Sequence, residues 1–399
     1  MISVKKAEGL ILGQTISLGS EKIELTQGVG RILCSEIQAE RNGPPFDRIA
    51  MDGIAIVYSQ IENDSFNCEG MQAAGMPQLV LKNKVNCLEV MTGAMLPKGC
   101  DTVIQFENTE KEGDRYKIID KEKVKEKQNI HFCGQDFSQN DLLLPKDYQL
   151  KIPDIAVAAS EGKDELNVYK SPKIALITTG SELVEINEIP LAHQIRMSNR
   201  YTAETLLRSK GIHDITRIHL LDDEKQSESV LSDCFSKFDV LILSGGVSKG
   251  KKDYIPECLK KLGVQIHFHR IAQKPGKPML FGSRENCRIF AMPGNPASML
   301  VCTVRYFLPW YYACMKMNRK PVNVKLTSSI KRKGSLTLFS PVRVYSNEKA
   351  ELIAELVKNN GSGDYYHLSQ SNGFIEIPGD KETVSEGDIF EYFDWNYSL

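Results

Sequence analysis

KIALITTGSE (173–182) decides how this chain is read. Its apolar run IALI (174–177) ends in Thr-Thr-Gly, and a segment of helical character, SNRYTAETLLRSKG (198–211), follows. The alternation then repeats, with TRIHLL (216–221), a helical stretch, and DVLILS (239–244). Strands that are apolar on both faces need helices on both sides, so this pattern predicts an α/β fold with a doubly wound parallel sheet. The α/β core is expected over residues 173–318.

On either side of the core the text changes. RNGPPFDRIAMDG (41–53) breaks the chain with paired prolines and an Asp-Gly turn. The short runs IAIVY (54–58), QLVLK (78–82), DTVIQF (101–106) and RYKIID (115–120) then predict a β-rich domain over 41–140. Within 141–172, IPDIAVAASEG reads as a helix, with a strand and a Ser-Pro stop after it. After NRKP (318–321) short strands return, among them FIEIP (374–378) and DIFEY (388–392), which predicts a small all-β unit over 319–399.

Composition excludes several classes of function. Fifty Lys plus Arg against 51 Asp plus Glu leave a net charge of -1, so no overall positive field exists to hold nucleic acid or an anionic membrane. With 41% hydrophobic and 25% charged residues, the chain is expected to fold and bury a core. Ten cysteines lie scattered without a CxxC pair, which predicts reduced thiols rather than a disulfide or zinc framework. His267 and His269 share one face of a strand and read as sheet residues. Neither a signal peptide nor a run of 18 apolar residues is visible, so a cytoplasmic protein is expected.

In an open parallel sheet, ligands bind beyond the carboxyl ends of the strands. Three strands here end in glycine-rich loops: TTGSE (178–182), SGGVSKGKKDY (244–254) and PGNPAS (293–298). Glycine lets backbone N–H groups approach an anion, so a phosphate-bearing ligand is expected against Thr178, Thr179, Gly180, Ser181, Gly245, Gly246 and Ser248. Lys274 and Lys277 bracket a Pro-Gly turn and read as a cationic clamp. Glu182 ends the first loop, Asp222 and Asp223 follow TRIHLL, and Asp253 lies in the second loop. Carboxylates next to phosphate need an intervening cation, which points to Mg²⁺. In the β-rich segment, Asp52, Thr92 and Asp136 each sit beside glycine, in functional or simple turn positions.

FDRIAMDGIA (46–55), EVMTGAMLPKGCDTVI (89–104), GQDF with DLLL (134–144), ITTGSELV (177–184), LILSGGVSKGKKDY (241–254), KPGKP (274–278) and AMPGNPAS (291–298) resemble, in order and spacing, the MoeA family. These are the molybdopterin molybdenumtransferases of molybdenum-cofactor biosynthesis, which include the E domain of gephyrin. The resemblance covers essentially the whole chain. It implies four parts: a discontinuous domain of 1–40 plus 141–172, an inserted β-rich domain, a molybdopterin-binding core and a C-terminal β barrel. It further implies a homodimer with shared clefts, whose substrates are molybdate and adenylylated molybdopterin and whose reaction releases AMP with Mg²⁺ present. The molybdopterin adenylyltransferase is a candidate partner.

Carried over by resemblance, the functional acids fall on Asp52, Asp136, Glu182, one of Asp222 and Asp223, and Asp253, with Thr92 as the hydroxyl. Ser248, Lys274, Lys277, Pro293 and Pro296 match cofactor-binding motifs, and Arg343 and Ser362 resemble the polar edge of the last domain. The chain departs from the family pattern in two places: His131 and Gln135 stand where Arg and Glu are common, and Arg48-Ile49 stands where a small polar pair is common. Two rival functions share parts of this text, an adenylyltransferase built on the same core and a non-catalytic scaffold. The Asp52, Thr92 and Asp136 segments favour metal insertion over both.

Overall fold

A computed structural model describes residues 1–247, 254–317, 320–331 and 334–395. The chain forms two compact units. One comprises Met1–Cys34, Asp147–Lys151 and Glu165–Leu399, and the other Ser35–Lys146 and Ile152–Asp164.

The first unit is built on six strands: β1 (Ile174–Thr179), β2 (Ile215–Leu220), β3 (Val240–Ser244), β4 (Gln265–His269), β5 (Leu280–Arg284) and β6 (Cys287–Met292). Their order across the sheet is β2-β1-β3-β6-β5-β4. The first four run parallel, while β5 and β4 complete the sheet antiparallel. Every residue of β1, β3 and β6 is buried. Their side chains alternate between two separate cores, as a two-residue period requires. Leu176, Ile242 and Phe290 enter one, with Phe307 and Trp310; Ile177, Leu243 and Ile289 enter the other, with Leu231 and Leu259.

Beyond the sheet, β7 (Val322–Leu326), β8 (Thr337–Ser346), β9 (Leu352–Leu356), β10 (Gly373–Ile377) and β11 (Ile389–Asp394) close into a barrel. β8 closes it because its ten residues are long enough to serve two neighbours, β10 through Leu338–Val342 and β9 through Val342–Ser346. Closure leaves no long unpaired edge in the ring. The N-terminal helix Val4–Leu12 is capped by the Ser3 side chain and buries Val4, Ala7 and Ile11, one stripe at helical spacing. Its Glu8 grips the buried Arg305 at 2.7 and 3.1 Å, and Glu376 of β10 binds the same guanidinium at 2.7 Å.

The second unit contains a six-stranded sheet ordered Thr102–Gln105, Gly53–Ile56, Cys87–Val90, Phe66–Gln72, Arg115–Ile118, Thr109–Glu112. QLVLK (78–82), read from sequence as a strand, makes only the single bridge Val80–Lys98. Leu81 N–H donates to the Lys98 carbonyl within that bridge, but the amides on either side are taken by side chains: Leu79 donates to Gln72 and Lys82 to the Glu69 carboxylate. With side chains taking the donors, no ladder can extend.

All ten cysteines are free thiols. His267 and His269 lie within hydrogen-bond reach of Ser283 Oγ at 2.8 Å and the Val247 carbonyl at 3.0 Å. Among the described residues, no helix is long and apolar enough to cross a membrane.

Candidate active site

β1, β3 and β6 all deliver their glycine-rich ends into one cleft of about 1220 Å³ in the first unit. Gly245 and Gly246, both in this cleft, leave no room for a side chain. Gly245 has φ +102°, and a Cβ there would meet the Thr179 hydroxyl at 2.7 Å and the Thr179 carbonyl at 3.0 Å. Gly246, at φ +71°, would meet Ile255 at 2.6 Å. The loop after β3 therefore lies directly on the end of β1, with both backbones bordering the cleft.

Thr178, in contrast, is nearly inaccessible, and its hydroxyl lies within reach of the Ile218 carbonyl and the His219 ring. Its hydroxyl is engaged within the sheet, while the residue still lines the cleft. Asn199 escaped the sequence reading. Its amide donates to the Gly294 carbonyl at 2.6 Å and to Ser244 Oγ at 3.2 Å, which joins two of the loops. Asn295 donates to Ser362 Oγ at 2.6 Å, and Ala297 N–H to the Ser362 carbonyl at 3.1 Å. These bonds attach the 359–362 segment, which follows β9, to the rim of the core, so the barrel side supplies one wall. That wall includes Leu338, Ser340 and Pro341 of β8.

Arg343 does not line the cleft; its Nε donates to the Gln370 carbonyl at 3.3 Å. An extended strand advances about 3.3 Å per residue, and two residues past Pro341 carry this side chain beyond the wall.

Charge is arranged on the same rim. Lys274 and Lys277 both line the cleft. Lys274 belongs to a short strand, Gln273–Lys274, laid parallel against the start of β8. Below it the buried Gln273 accepts a hydrogen bond from the Tyr306 hydroxyl. The Glu182 carboxylate folds back over Gly180, 2.6 Å from where a Cβ on that glycine would stand. Asp222 lines the cleft as well; its N–H donates to Ser181 Oγ at 3.1 Å, and Ser181 N–H reaches its carboxylate at 3.5 Å. Asp223 has a different job: it caps the helix Glu224–Lys237, accepting the Gln226 N–H at 2.9 Å. Of the adjacent acids, Asp222 is the one that lines the cleft. Glu182 and Asp222 both line the cleft, and one or two carboxylates beside phosphate are a donor set of the kind that suits Mg²⁺. Ser248 and Asp253 lie outside the described residues.

Asp52, Thr92 and Asp136 lie in the second unit. Three segments run side by side there: 93–96, 47–50 and 129–131, tied by Gly93 N–H to the Ile49 carbonyl and Ala50 N–H to the Asn129 carbonyl. Asp52 Oδ1 accepts both the backbone N–H and the hydroxyl of Thr92 at 2.7 Å. Those donors hold its carboxyl below the usual carboxylate value, the backbone N–H contributing most.

Three family profiles match consecutive parts of the chain: "MoeA N-terminal region (domain I and II)" over residues 2–162, "Probable molybdopterin binding domain" over 175–311 and "MoeA C-terminal region (domain IV)" over 323–395. A protein of Synechocystis named molybdopterin molybdenumtransferase is 37% identical, covering 99% of this chain and 100% of its own. The chain belongs to the MoeA family. A Haemophilus influenzae protein of the same name is 31% identical over the full length of both. A crystal structure of the molybdopterin biosynthesis MoeA protein from Pyrococcus horikoshii OT3 superposes with a TM-score of 0.80 at 26% identity, over 99% of this chain and 100% of that one.

Within this MoeA-family chain, the His131 ring stands between a cation and an acid. Arg48 stands opposite His131 in the strand pairing, its Nη2 2.9 Å from His131 Nδ1, while His131 Nε2 lies 2.8 Å from Asp136 Oδ1. Gln135 is used locally, its amide oxygen accepting the Phe132 N–H at 3.0 Å.

Proposed function

We propose that this chain inserts molybdenum into adenylylated molybdopterin and releases AMP, a transferase step of molybdenum-cofactor biosynthesis. The carrying observation is the cleft itself, in which three glycine-rich strand ends, two lysines and two carboxylates meet in a chain whose full-length relatives bear the name molybdopterin molybdenumtransferase.

The backbone at Gly180, Gly245 and Gly246 cradles the bridging phosphates, with the Thr179 hydroxyl as a further donor. Lys274 and Lys277 neutralise phosphate charge, and Lys277 also serves the incoming molybdate, a tetrahedral oxyanion that calls for cations and hydroxyls. Glu182 and Asp222 would hold Mg²⁺, with Asp253 as a third candidate outside the described residues; when bound, the ion supplies charge neutralisation at the phosphates. Pro293 and Pro296 keep the loop after β6 rigid at the rim. Asp52, Thr92 and Asp136 orient the oxyanion site. A homodimer lets these residues of one protomer serve the cleft of its partner, and the molybdopterin adenylyltransferase is the reaction partner that supplies the substrate.

The test is AMP release from adenylylated molybdopterin, followed with and without molybdate and together with formation of active cofactor. Release that depends on molybdate, disappears with a Mg²⁺ chelator and is lost in Glu182→Ala supports the reading. Parental turnover by Glu182→Ala contradicts the metal assignment, and pyrophosphate formation from ATP and molybdopterin would make the chain an adenylyltransferase instead.

A further inference from the structure

Asp136 stands at the end of a line of three side chains. Arg48 and His131 are Cα partners in the antiparallel pairing of Arg48–Ile49 with Ile130–His131. The Arg48 Nη2 to His131 Nδ1 distance is 2.9 Å, and His131 Nε2 to Asp136 Oδ1 is 2.8 Å. A guanidinium offers donors only, so His131 Nδ1 must accept. The proton of the neutral ring then sits on Nε2 and is donated to the Asp136 carboxylate.

The backbone of Asp136 is fixed separately. Its N–H donates to the Gly43 carbonyl at 2.8 Å, Phe137 N–H shares that acceptor at 3.2 Å, and Gly134 N–H donates to the Pro44 carbonyl at 3.0 Å. What the backbone leaves free is rotation of the carboxylate, which is 52% exposed. An exposed pair adds little stability, because water competes for both partners. Its lasting effect is directional. The other charged group in this segment, Asp47, is engaged elsewhere, its Oδ1 accepting the Cys133 N–H at 2.9 Å.

We propose that Arg48 and His131 are positioning residues: Arg48 sets the tautomer of His131, and His131 aims the Asp136 carboxylate at the substrate. This rests on the reading of Asp136 as a functional acid given above. The arrangement belongs to this chain's own residues, since both a cation at 48 and a ring with two nitrogens at 131 are needed to build it.

The full-length protein tests this with four variants. Nitrogen-15 spectra of histidine-labelled protein at neutral pH, with His131 assigned by its loss in His131→Gln, should show a protonated Nε2 and a bare Nδ1. In Arg48→Met the ring should lose that single tautomer. His131→Gln can keep both bonds, because an amide oxygen accepts from Arg48 while the amide N–H donates to Asp136. His131→Leu keeps neither, so kcat for molybdate-dependent AMP release should fall roughly 10-fold with KM for the pterin unchanged, the loss expected of a misaimed group. His131→Gln should restore most of it, and Asp136→Asn should fall at least as far as His131→Leu.

A proton on Nδ1 in the parental protein overturns the proposal. So does full kcat in His131→Leu while Asp136→Asn is impaired. Full activity in Asp136→Asn removes the functional reading of Asp136 itself and leaves nothing to position, an outcome distinct from the other two.

Discussion

Asp52 accepts two hydrogen bonds from a single residue, the amide and the hydroxyl of Thr92, both 2.7 Å from the same carboxylate oxygen. The bonds hold the folded carboxyl below its ordinary value of 3.8. For a carboxyl lowered on folding, any stabilisation is complete above the unfolded value and is lost as pH falls through the folded one. Thr92→Val deletes the hydroxyl bond and keeps the amide bond. The Asp52 carboxyl should therefore titrate higher than in the parent, part of the way back to its ordinary value, as read by carbon-13 carboxyl shifts. An unchanged titration would show that the hydroxyl contributes nothing.

Lys277 and Lys274 are expected to act in binding. A charge-assisted hydrogen bond contributes about 1.5–3 kcal/mol, so Lys277→Ala should raise KM for adenylylated molybdopterin roughly 10- to 100-fold. The effect should shrink at high salt to the extent that the site is open to solvent. Lys277→Arg should recover part of it. A KM that does not move excludes the clamp.

Gly245 and Gly9 make a paired test of backbone strain. Gly245→Ala puts a methyl group against the Thr179 backbone at a φ of +102°, so destabilisation of about 1–3 kcal/mol is expected in urea unfolding, with loss of ligand binding. Gly9 lies in the N-terminal helix, and a methyl group added there would have nothing within 4 Å. Gly9→Ala should raise stability by about 0.5–1 kcal/mol. Equal effects of the two substitutions would contradict the tight approach of the loops.

Arg305 is 5% exposed and bridges Glu8 and Glu376, so it links the N-terminal helix to the barrel. Removing one partner of a buried pair leaves charge uncompensated, and Arg305→Met should lower unfolding free energy by about 3 kcal/mol. Glu8→Gln should cost less because Glu8 is 34% exposed and can be rehydrated. A double-mutant cycle with no coupling between positions 8 and 305 would rule out the bridge as a contributor.

Asp136→Asn and Lys277→Ala together test whether clefts are shared. If each cleft takes its acids from the other protomer, random re-pairing of the two impaired variants, assayed at substrate well below the raised KM of Lys277→Ala, gives half heterodimers with one intact cleft of two. Activity then returns to about a quarter of the parental value. If each protomer is self-sufficient, mixing restores nothing. Stepwise dissociation and dilution before mixing separates slow exchange from true absence of complementation.

Local pattern made the core readable. IALI and VLIL are apolar at successive positions, and the glycine-rich ending of each lies within a few residues of its strand, so fold class and loop chemistry travel together in the text. The MoeA motifs lie in the same short stretches. Pattern misled at QLVLK, where a short apolar run suggested a strand but the side chains of Gln72 and Glu69 intercept the amides of Leu79 and Lys82.

What the order of residues determined by itself is the set of strand-forming runs, the glycines that permit close approach, the two lysines of the turn and the family. These depend on periods of two and 3.6 residues and on contacts a few positions apart. Tertiary structure alone decided that Asp222 faces the cleft while Asp223 caps a helix, and that Arg343 lies past the wall. It also decided that Asn295 meets Ser362 across 67 residues and that Arg48 meets His131 across 83. Such pairings are set by strand register and loop closure, which no local spacing encodes.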